Sequence, residues 1–316
     1  MMISDNLLQK FNIVDWGYTE EGKASSYSNF EEWIDQNKHA NLSYLADERK
    51  EKRKHLKEVF HEFKSALVFL FDYSSSKKTL DESSKGKDQK IAGYTFGFEG
   101  SDYHYFVKDA LTEIIKSSSL PNDHKIIVDT APVLDRDLAY RAGLGWFGKN
   151  SMLISKKHGS YVMIGSILFA EKLNINLREL ESDHCGNCTA CISACPTFAI
   201  DPVTRTVDSE KCIPNFTIEI FKDGQPPPFY DGMDEIFGCD ICQEVCPWNR
   251  KPINNANEIK LSETQQNIFN FFVNKSKDEI IDELNQMSKK GYQKRFKGTS
   301  FERTGRDGIL KNLKHK

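Results

Sequence analysis

Eight cysteines crowded into residues 185–246 constrain this chain more than any other feature of its sequence. The segment HCGNCTACISACPT, residues 184–197, separates four of them by gaps of two, two and three residues and places Pro196 after the last. This is the C-x2-C-x2-C-x3-C-P run of bacterial ferredoxins, in which the fourth cysteine ligates the other cluster of a pair. The run therefore predicts two neighbouring 4Fe–4S clusters.

A second run, CDICQEVCPWN, supplies the ligands that the first one lacks. Counting back from Cys246 gives Cys242 and Cys239, but Ile236 stands where the next ligand is expected. Cys212 is the one cysteine left to complete the set. We predict two ligand sets that use all eight cysteines: Cys185, Cys188, Cys191 and Cys246 for one cluster, and Cys195, Cys212, Cys239 and Cys242 for the other.

Two other kinds of cysteine site were weighed against this interpretation. Two zinc sites of four cysteines each remain an alternative, because paired C-x2-C motifs also bind zinc. Radical chemistry with S-adenosylmethionine requires C-x3-C-x2-C, and Phe198 and Asn249 occupy the positions where its last cysteine would stand. Cytoplasmic thiols are kept reduced, so metal ligands are favoured over disulfides.

The composition is that of a globular protein with room for a substantial core. The chain has 316 residues, of which 39% are hydrophobic and 28% charged, and this length suggests roughly two domains. No apolar stretch approaches the ~18 residues of a membrane helix, and the N-terminal sequence MMISDNLLQKFNIVDW lacks the pattern of a signal peptide. We expect a cytoplasmic monomer.

The predicted fold class is α+β, in three regions. Residues 1–177 combine helical stretches, notably 29–60, with the apolar runs SALVFLFDY, KIIVDT and YVMIGSILFA, which indicate buried strands. Between the first two runs, the Ser- and Lys-rich residues 74–90 predict a mobile surface loop. Residues 178–255 contain every cysteine, and residues 256–316 are helical and basic.

Residues 128–155, VDTAPVLDRDLAYRAGLGWFGKNSMLIS, form the candidate site to which the clusters would deliver electrons. Gly143, Gly145 and Gly148 spell G-x-G-x-x-G, but the residues before them predict a helix, whereas a dinucleotide fingerprint follows a strand. A phosphate loop is also disfavoured, since Asn150 replaces the Ser or Thr that binds magnesium.

This glycine-rich segment, combined with CGNCTACISACPTFAI, Cys212 and GCDICQEVCPWN, resembles the epoxyqueuosine reductases. These are cobalamin-dependent iron–sulfur enzymes of the last step of queuosine synthesis in tRNA. The resemblance extends from about Tyr44 to the C-terminus. It implies a cobalamin-binding catalytic domain over 1–177, a ferredoxin-like domain with two 4Fe–4S clusters over 178–255, and a basic helical region over 256–316.

The resemblance also implies a reaction and the residues that perform it. An epoxide would be reduced to an alkene with electrons passed through the clusters to cobalamin, and Asp129 matches the family's proton donor. Asp129 follows the apolar run KIIV, where the end of a strand would expose it at a sheet edge, and as a general acid near neutral pH it would need a pKa raised by burial. Asp135 and Asp137 share a predicted helix and would by default lie on its solvated face. The residues that match family positions near the cofactor or substrate are Arg53, Tyr103, His104, Asp129, Leu134, Asp135, Arg136, Lys149, Asn150 and Ser151.

The implied partners are a tRNA that carries epoxyqueuosine in its anticodon and a low-potential electron donor of the flavodoxin or ferredoxin type. Residues 289–316 hold ten basic side chains against two acidic ones, a local balance of +8, with aromatic residues between them. Such a pattern is typical of a surface that binds a phosphate backbone. The predicted tRNA-binding residues are Lys294, Arg295, Lys297, Arg303 and Arg306.

Two other functions were considered. A reductive dehalogenase-like enzyme would share the cobalamin and the clusters but would act on a small halogenated molecule, with no need of a basic C-terminal region. A non-catalytic electron-transfer protein with two clusters would purify without corrin.

Overall fold

The computed structural model describes residues 3–221 and 223–315. Within them the chain forms two compact units, each assembled from two separate stretches of sequence. The first unit contains the residues up to Asp72 together with His104–Cys188. The second unit contains Tyr73–Tyr103 together with the residues from Thr189 onward. The division into three regions, 1–177, 178–255 and 256–316, stays a prediction. Met1, Met2, Lys222 and Lys316 lie outside the described residues.

The strands and helices confirm the predicted α+β class. The strands are Ile13–Thr19 (β1), Ser65–Asp72 (β2), Lys90–Ile91 (β3), His124–Ile127 (β4), Trp146–Phe147 (β5), Leu153–Ile154 (β6), Val162–Phe169 (β7) and Glu235–Phe237 (β8). The α-helices are Asp5–Lys10 (α1), Tyr27–Asp35 (α2), Ser43–Ala46 (α3), Arg49–Lys52 (α4), Ser74–Ser83 (α5), Tyr103–Ser117 (α6), Asp135–Arg141 (α7), Ala190–Ala194 (α8), Ile241–Glu244 (α9), Pro247–Asn255 (α10), Glu263–Phe272 (α11), Lys277–Gln286 (α12), Lys289–Arg295 (α13) and Phe301–Lys314 (α14). Short 3-10 turns span Leu56–Glu58, Gly93–Phe96 and Phe98–Gly100, and a π-helical turn spans Asn215–Glu219.

An antiparallel sheet forms the centre of the first unit, with the strand order β1-β2-β7-β4. The central strand β2 is apolar along most of its length, and every residue from Ala66 to Phe71 is fully buried. A strand covered on both faces reads as a continuous apolar run, and for this reason the sequence predicted β2 and β7 correctly. The run KIIVDT also predicted a strand, but β4 is an edge strand in which Lys125 is exposed and only Ile127 is buried. The sequence missed β1, in which Asp15 interrupts the apolar residues.

Two expectations about helices were wrong. The predicted helical stretch 29–60 is broken into α2, α3, α4 and a 3-10 turn, with Asn37 and Ala40 at positive φ between the first two helices. Residues 74–90 are not simply a mobile loop, because Ser74–Ser83 form helix α5, which buries Ser76, Lys77 and Leu80. Leu80 belongs to the core of the second unit.

The C-terminal helices of the second unit pack around a cluster of aromatic side chains. Phe271, Phe272, Phe296 and Phe301 are fully buried, and the rings of Phe272 and Phe301 stack with their centroids 4.1 Å apart. Serine side chains begin α11 and α12 as capping boxes, each accepting a backbone N–H of the first turn. The prediction that the chain is helical beyond residue 256 is therefore confirmed.

Candidate functional site

Asp129 stands just beyond the edge strand β4, as the sequence predicted. Its φ of 26° lies in the left-handed region, which residues other than glycine rarely adopt. The amide of Thr130 donates a hydrogen bond to the carbonyl of Val128, so the chain turns sharply at Asp129. The Asp129 side chain is 61% exposed, in agreement with its predicted place at a sheet edge.

His104 is an ionisable partner of Asp129. It lies in the first turn of α6, where its Nε2 approaches Asp129 Oδ2 at 3.3 Å. The His104 side chain is 25% exposed, so both ends of this contact can be reached from solvent. Tyr103, which precedes His104 and is also a predicted cofactor contact, begins α6. Its ring packs edge-on against that of Tyr94, with 6.0 Å between the ring centroids.

Asp135 begins α7 and differs from the solvated aspartate that we expected. It is half-buried, and its Oδ1 is buried without a hydrogen-bond partner among the described residues. Burial, followed by the negative charge of Asp129, raises the pKa of Asp135 to about 8. The positive charges of Arg136 and Arg53 oppose this shift but do not cancel it. A carboxyl group with this pKa is protonated at neutral pH and can donate a proton.

The two predicted arginines differ in how they are held. Arg53 is only 8% exposed, donates to the Arg49 carbonyl at 2.9 Å, and lies over the ring of Phe30. Arg136 is exposed and donates to the carbonyl of Ser151, which has a left-handed φ of 62°. Leu134, also a predicted cofactor contact, is the half-buried N-cap residue of α7.

Helix α7 is fixed by a buried ion pair that the sequence did not predict. Asp137 is 1% exposed, so the expectation of a solvated face is wrong for this residue. Its carboxylate accepts from Arg141 Nε at 2.6 Å, from Ser25 Oγ at 2.6 Å and from the Ser26 amide at 2.7 Å. Buried charges of this kind need several partners at once. The contacts hold α7, and with it Asp135 and Arg136 at its start.

The glycine-rich segment after α7 folds into the hairpin β5–β6. A Cβ at Gly145 would lie 2.2 Å from the Ile154 carbonyl oxygen, so the close approach of the two strands requires glycine there. The segment follows a helix, which agrees with the rejection of a dinucleotide fingerprint. Asn150 is buried and accepts the Met152 amide at 3.3 Å. Lys149 donates to the carbonyls of Gly186 and Cys188, at 2.7 and 2.9 Å, in the first cysteine run.

The eight cysteines are all free thiols in this structure. In the second unit, helices α8 and α9, which carry Cys191 and Cys242, pack against each other. The amide of Ala199 donates to Cys195 Sγ at 3.3 Å, a contact of the kind that tunes cluster potentials.

Burial and neighbouring charge disfavour the thiolate forms of two cysteines. Burial, with the charges of Cys195 and Asp208, raises the pKa of Cys212 to about 12. Burial also raises the pKa of Cys239, whose neighbours include Cys242. Buried thiols next to one another fit a positively charged iron cluster, which binds them as thiolates. Within residues 3–221 and 223–315, no three Cys, His, Asp or Glu side chains gather around one point as the ligands of a single metal ion do.

The basic C-terminal residues divide into those with acidic partners and those exposed to solvent. Arg295 pairs with Glu283, Arg303 pairs with Glu219 at 2.5 Å, and Arg306 pairs with the adjacent aspartate at 2.9 Å. Lys294 and Lys297 are exposed and form no ion pair among the described residues. A polar cavity of about 310 Å³ opens beside Lys297, and its lining consists of Glu263, Thr264, Asn267, Arg295, Lys297 and Thr299.

Comparison with known families agrees with both the fold and the cysteine pattern. Residues 184–249, which include all eight cysteines, match a 4Fe-4S double cluster binding domain. This match marks the chain as an iron–sulfur protein of the double-cluster type and favours iron over the zinc alternative. Residues 53–130 match the family described as epoxyqueuosine reductase QueG, DUF1730.

Curated relatives extend this match to nearly the whole chain. Epoxyqueuosine reductase from Cyclobacterium marinum is 36% identical over 90% of this chain and 85% of its own length. The enzyme of the same name from Leadbetterella byssophila is 37% identical over 90% of this chain and 86% of its own length. The chain belongs to the epoxyqueuosine reductase family, as the sequence resemblance predicted. The double-cluster match confirms the predicted pair of 4Fe–4S clusters.

Solved structures of the family have the same fold. Epoxyqueuosine reductase from Streptococcus thermophilus superposes with a TM-score of 0.74 at 22% identity, covering 98% of this chain and 78% of its own. An epoxyqueuosine reductase crystallised with a tRNA-Tyr epoxyqueuosine-modified stem loop gives a TM-score of 0.72 at 24% identity, covering 98% and 79%. In the described part of this chain, no helix has the length and apolar character to cross a membrane.

Proposed function

We propose that this chain reduces epoxyqueuosine to queuosine in tRNA, with electrons passing through two 4Fe–4S clusters to cobalamin and a proton coming from Asp129. The observation that carries the proposal is the 36–37% identity to curated epoxyqueuosine reductases over 90% of the chain. The relative solved with an epoxyqueuosine-modified tRNA stem loop supports the same substrate. The reductive dehalogenase alternative is disfavoured, because family membership points to epoxyqueuosine.

The reaction converts an epoxide into an alkene. It consumes two electrons and two protons and releases the epoxide oxygen as water. When bound, cobalamin supplies a strongly reducing cobalt centre, which the low-potential clusters recharge. The proposed ligands are Cys185, Cys188, Cys191 and Cys246 for one cluster and Cys195, Cys212, Cys239 and Cys242 for the other. The electron donor would be a small protein of the flavodoxin or ferredoxin type, and the reaction would take place in the cytoplasm.

Asp129 is proposed as the general acid for the departing epoxide oxygen. Its left-handed backbone supports this role, since strained conformations of non-glycine residues concentrate at functional sites. A solved family member from Bacillus subtilis was described with its catalytic aspartate loop swung out of the active site. An exposed Asp129 on a sharp turn is consistent with such a loop, and a bound substrate would cover the carboxyl group. His104, at 3.3 Å, is placed to return a proton to Asp129 after each turnover.

The residues proposed to hold cobalamin lie mostly around the start of α7. The buried Oδ1 of Asp135, which has no partner among the described residues, fits an amide N–H of the corrin side chains. Arg53 and Arg136, whose positive charges act on Asp135, would supply further hydrogen-bond donors. The remaining proposed contacts are Tyr103, His104, Leu134, Lys149, Asn150 and Ser151.

The experiment that tests this function measures queuosine formation directly. Protein reconstituted anaerobically with iron, sulfide and cobalamin is reduced and incubated with tRNA that carries epoxyqueuosine, and the nucleosides are analysed by mass spectrometry. We expect conversion to queuosine by the wild type. An Asp129→Asn variant should bind iron and cobalamin normally but convert at least ~100-fold more slowly, the usual effect of losing a general acid.

Each result decides a separate part of the proposal. No queuosine from a wild-type protein that has bound all its cofactors would refute the reductase function, and a wild type that takes up iron but no cobalamin would indicate an electron-transfer protein. Near-normal conversion by the Asp129→Asn variant would assign the proton to another group.

A further inference from the structure

Lys77 is a buried lysine in a segment that the sequence presents as a polar loop. It lies on α5 in the second unit and is 2% exposed. Lysine is among the residues least often buried, because its ammonium group loses hydration unless charged partners replace the water. Its environment must therefore supply those partners.

Three carboxylates surround the Lys77 ammonium group. Its Nζ lies 2.5 Å from Asp81 Oδ1, 2.7 Å from Glu244 Oε1 and 3.7 Å from Asp240 Oδ2. Asp81 is on the same helix, one turn away, whereas Asp240 and Glu244 come from the second cysteine run. Of these three contacts, those with Asp240 and Glu244 connect α5 to the second cysteine run.

Asp240 joins Lys77 to the turn that carries the cysteines. It follows Cys239 directly and is the N-cap residue of α9, but its side chain does not cap that helix. Instead Oδ2 accepts the Gly93 amide at 2.6 Å, and Oδ1 accepts Gln243 Nε2 at 3.2 Å. The Asp240 carboxylate thus faces Lys77 and the Gly93 amide, and it does not accept the backbone amides at the start of α9.

Gly93 makes this arrangement possible. A Cβ at this position would lie 2.4 Å from Cδ of Lys77 and 3.2 Å from Asp240 Oδ2. Glycine therefore leaves room for the lysine stem to reach the carboxylates. The hydrogen-bonded network continues along the chain from Gln243. Its carbonyl accepts the Cys246 amide at 3.1 Å and Asn249 Nδ2 at 2.8 Å.

We propose that Lys77 is a positioning residue for the second cluster: through Asp240 and Glu244 it holds the turn 239–244 in the conformation that presents Cys239 and Cys242 to iron. The lysine itself binds neither iron nor sulfide. The inference rests on the proposed cluster ligands but not on the proposed tRNA substrate.

The test is the iron content of the whole protein after anaerobic reconstitution, with no tRNA present. Wild type should bind about eight iron atoms, as two 4Fe–4S clusters require. A Lys77→Met variant keeps the length of the side chain but loses its charge, and it should retain about four. The electron paramagnetic signal that remains should be that of the cluster of the first cysteine run. Lys77→Arg should restore the second cluster, at least in part.

Two further variants separate positioning from general stability. Lys78→Met is the matched control, because Lys78 neighbours Lys77 and its Nζ contacts the Ala256 carbonyl, outside the cysteine runs. It should bind iron as wild type does. If Lys77→Met does not fold, as judged by circular dichroism, Asp240→Asn takes its place. It removes the negative charge that faces Lys77 with hardly any change in size, and it too should lose the second cluster.

The outcomes distinguish this inference from the proposed function. Full iron content in the folded Lys77→Met variant, or in Asp240→Asn if that variant is needed, would overturn the positioning role. A Lys78→Met variant that lost the same cluster would overturn it too. A wild-type chain that takes up no iron would instead contradict the assignment of the cysteines.

Discussion

At the scale of single residues, Asp135 is expected to make the stability of the fold depend on pH. Its ordinary pKa is 3.8, and burial together with the charge of Asp129 raises the pKa to about 8 in the folded chain. The folded state therefore binds a proton that the unfolded state releases between these two values. The stability that this proton contributes is fully present below pH 4 and is lost as the pH rises through 8.

We predict that Asp135→Asn stabilises the protein more at high pH than at low pH. The amide cannot ionise, so the variant avoids the cost of a half-buried carboxylate above pH 8. Between pH 5 and pH 8.5 its advantage over wild type should grow by about 1 kcal/mol or more, roughly 2–4 °C in the melting temperature. Differential scanning calorimetry at several pH values measures this difference.

The control for this prediction is Asp109→Asn, which changes an exposed aspartate of α6. It should follow the wild-type pH dependence throughout. A constant difference between Asp135→Asn and wild type over the whole pH range would contradict the raised pKa.

The sequence located the candidate site segment but misjudged the environment of two of its acidic residues, Asp135 and Asp137. Asp129 was singled out because the family resemblance and a strand end coincide there, and the strand end also indicated its exposure. Asp137 was expected to face solvent, yet Ser25 and Ser26, more than 100 positions earlier, enclose its carboxylate. Contacts across such a distance leave no signal in local periodicity.

At the scale of secondary-structure elements, the largest difference from expectation is α5. The strands β2, β4 and β7 were predictable because each contains a short apolar run. The segment SSSKKTLDES has no such signal, since its buried positions include serine, lysine and threonine. Thr79 accepts the Ile259 amide at 3.0 Å, and Lys77 meets carboxylates of the second cysteine run. Polar burial of this kind depends on partners in distant sequence, which composition does not reveal.

The two cysteine runs are predicted to exchange ligands between the clusters, and this exchange can be tested by substitution. If the runs exchange their last ligands, Cys246→Ser should remove the cluster of Cys185, Cys188 and Cys191 while sparing much of the other. Cys246 is 8% exposed and precedes α10, so serine fits the site without a large change in volume. Iron analysis and electron paramagnetic spectra of the reduced variant provide the measurement.

Cys212→Ser is the reciprocal variant. It should remove the cluster of Cys195, Cys239 and Cys242 and leave the first-run signal in place. If Cys246→Ser instead affects only the cluster of Cys239 and Cys242, each run keeps its own ligands and the exchange is wrong.

At the scale of the whole molecule, the net charge of the C-terminal region overstates the number of basic side chains that can contact a bound nucleic acid. Lys311 is 6% exposed and donates to the carbonyls of Phe216 and Ile220. Arg295 and Arg303 pair with glutamates from outside the basic region. Lys289 pairs with Asp307 at 2.6 Å. Lys294 and Lys297 are therefore better candidates for phosphate contacts than the paired arginines.

We predict that replacing Lys294 and Lys297 with alanine weakens tRNA binding and makes it less dependent on salt. Each phosphate contact contributes roughly −0.7 to −0.9 to the slope of log K against log salt. The slope for the double variant should be less steep by up to the contribution of about two phosphate contacts. Fluorescence anisotropy of a labelled anticodon stem loop, titrated at several salt concentrations, measures both affinity and slope.

Lys289→Ala is the control, because its ammonium group already has an acidic partner. It should change the slope less than either exposed lysine does. An unchanged slope in the Lys294 and Lys297 double variant would place the tRNA surface elsewhere on the protein.

The interleaving of the two compact units has a consequence for how the chain is made. Residues 73–103 leave the ribosome well before residues 189–316, with which they form one unit. Leu80, Ile91 and Phe96 belong to a core whose other members, such as Phe237 and Phe301, are synthesised much later. During that interval their apolar side chains have no native partners and favour aggregation. The nascent chain should therefore depend on chaperones until its last helices emerge.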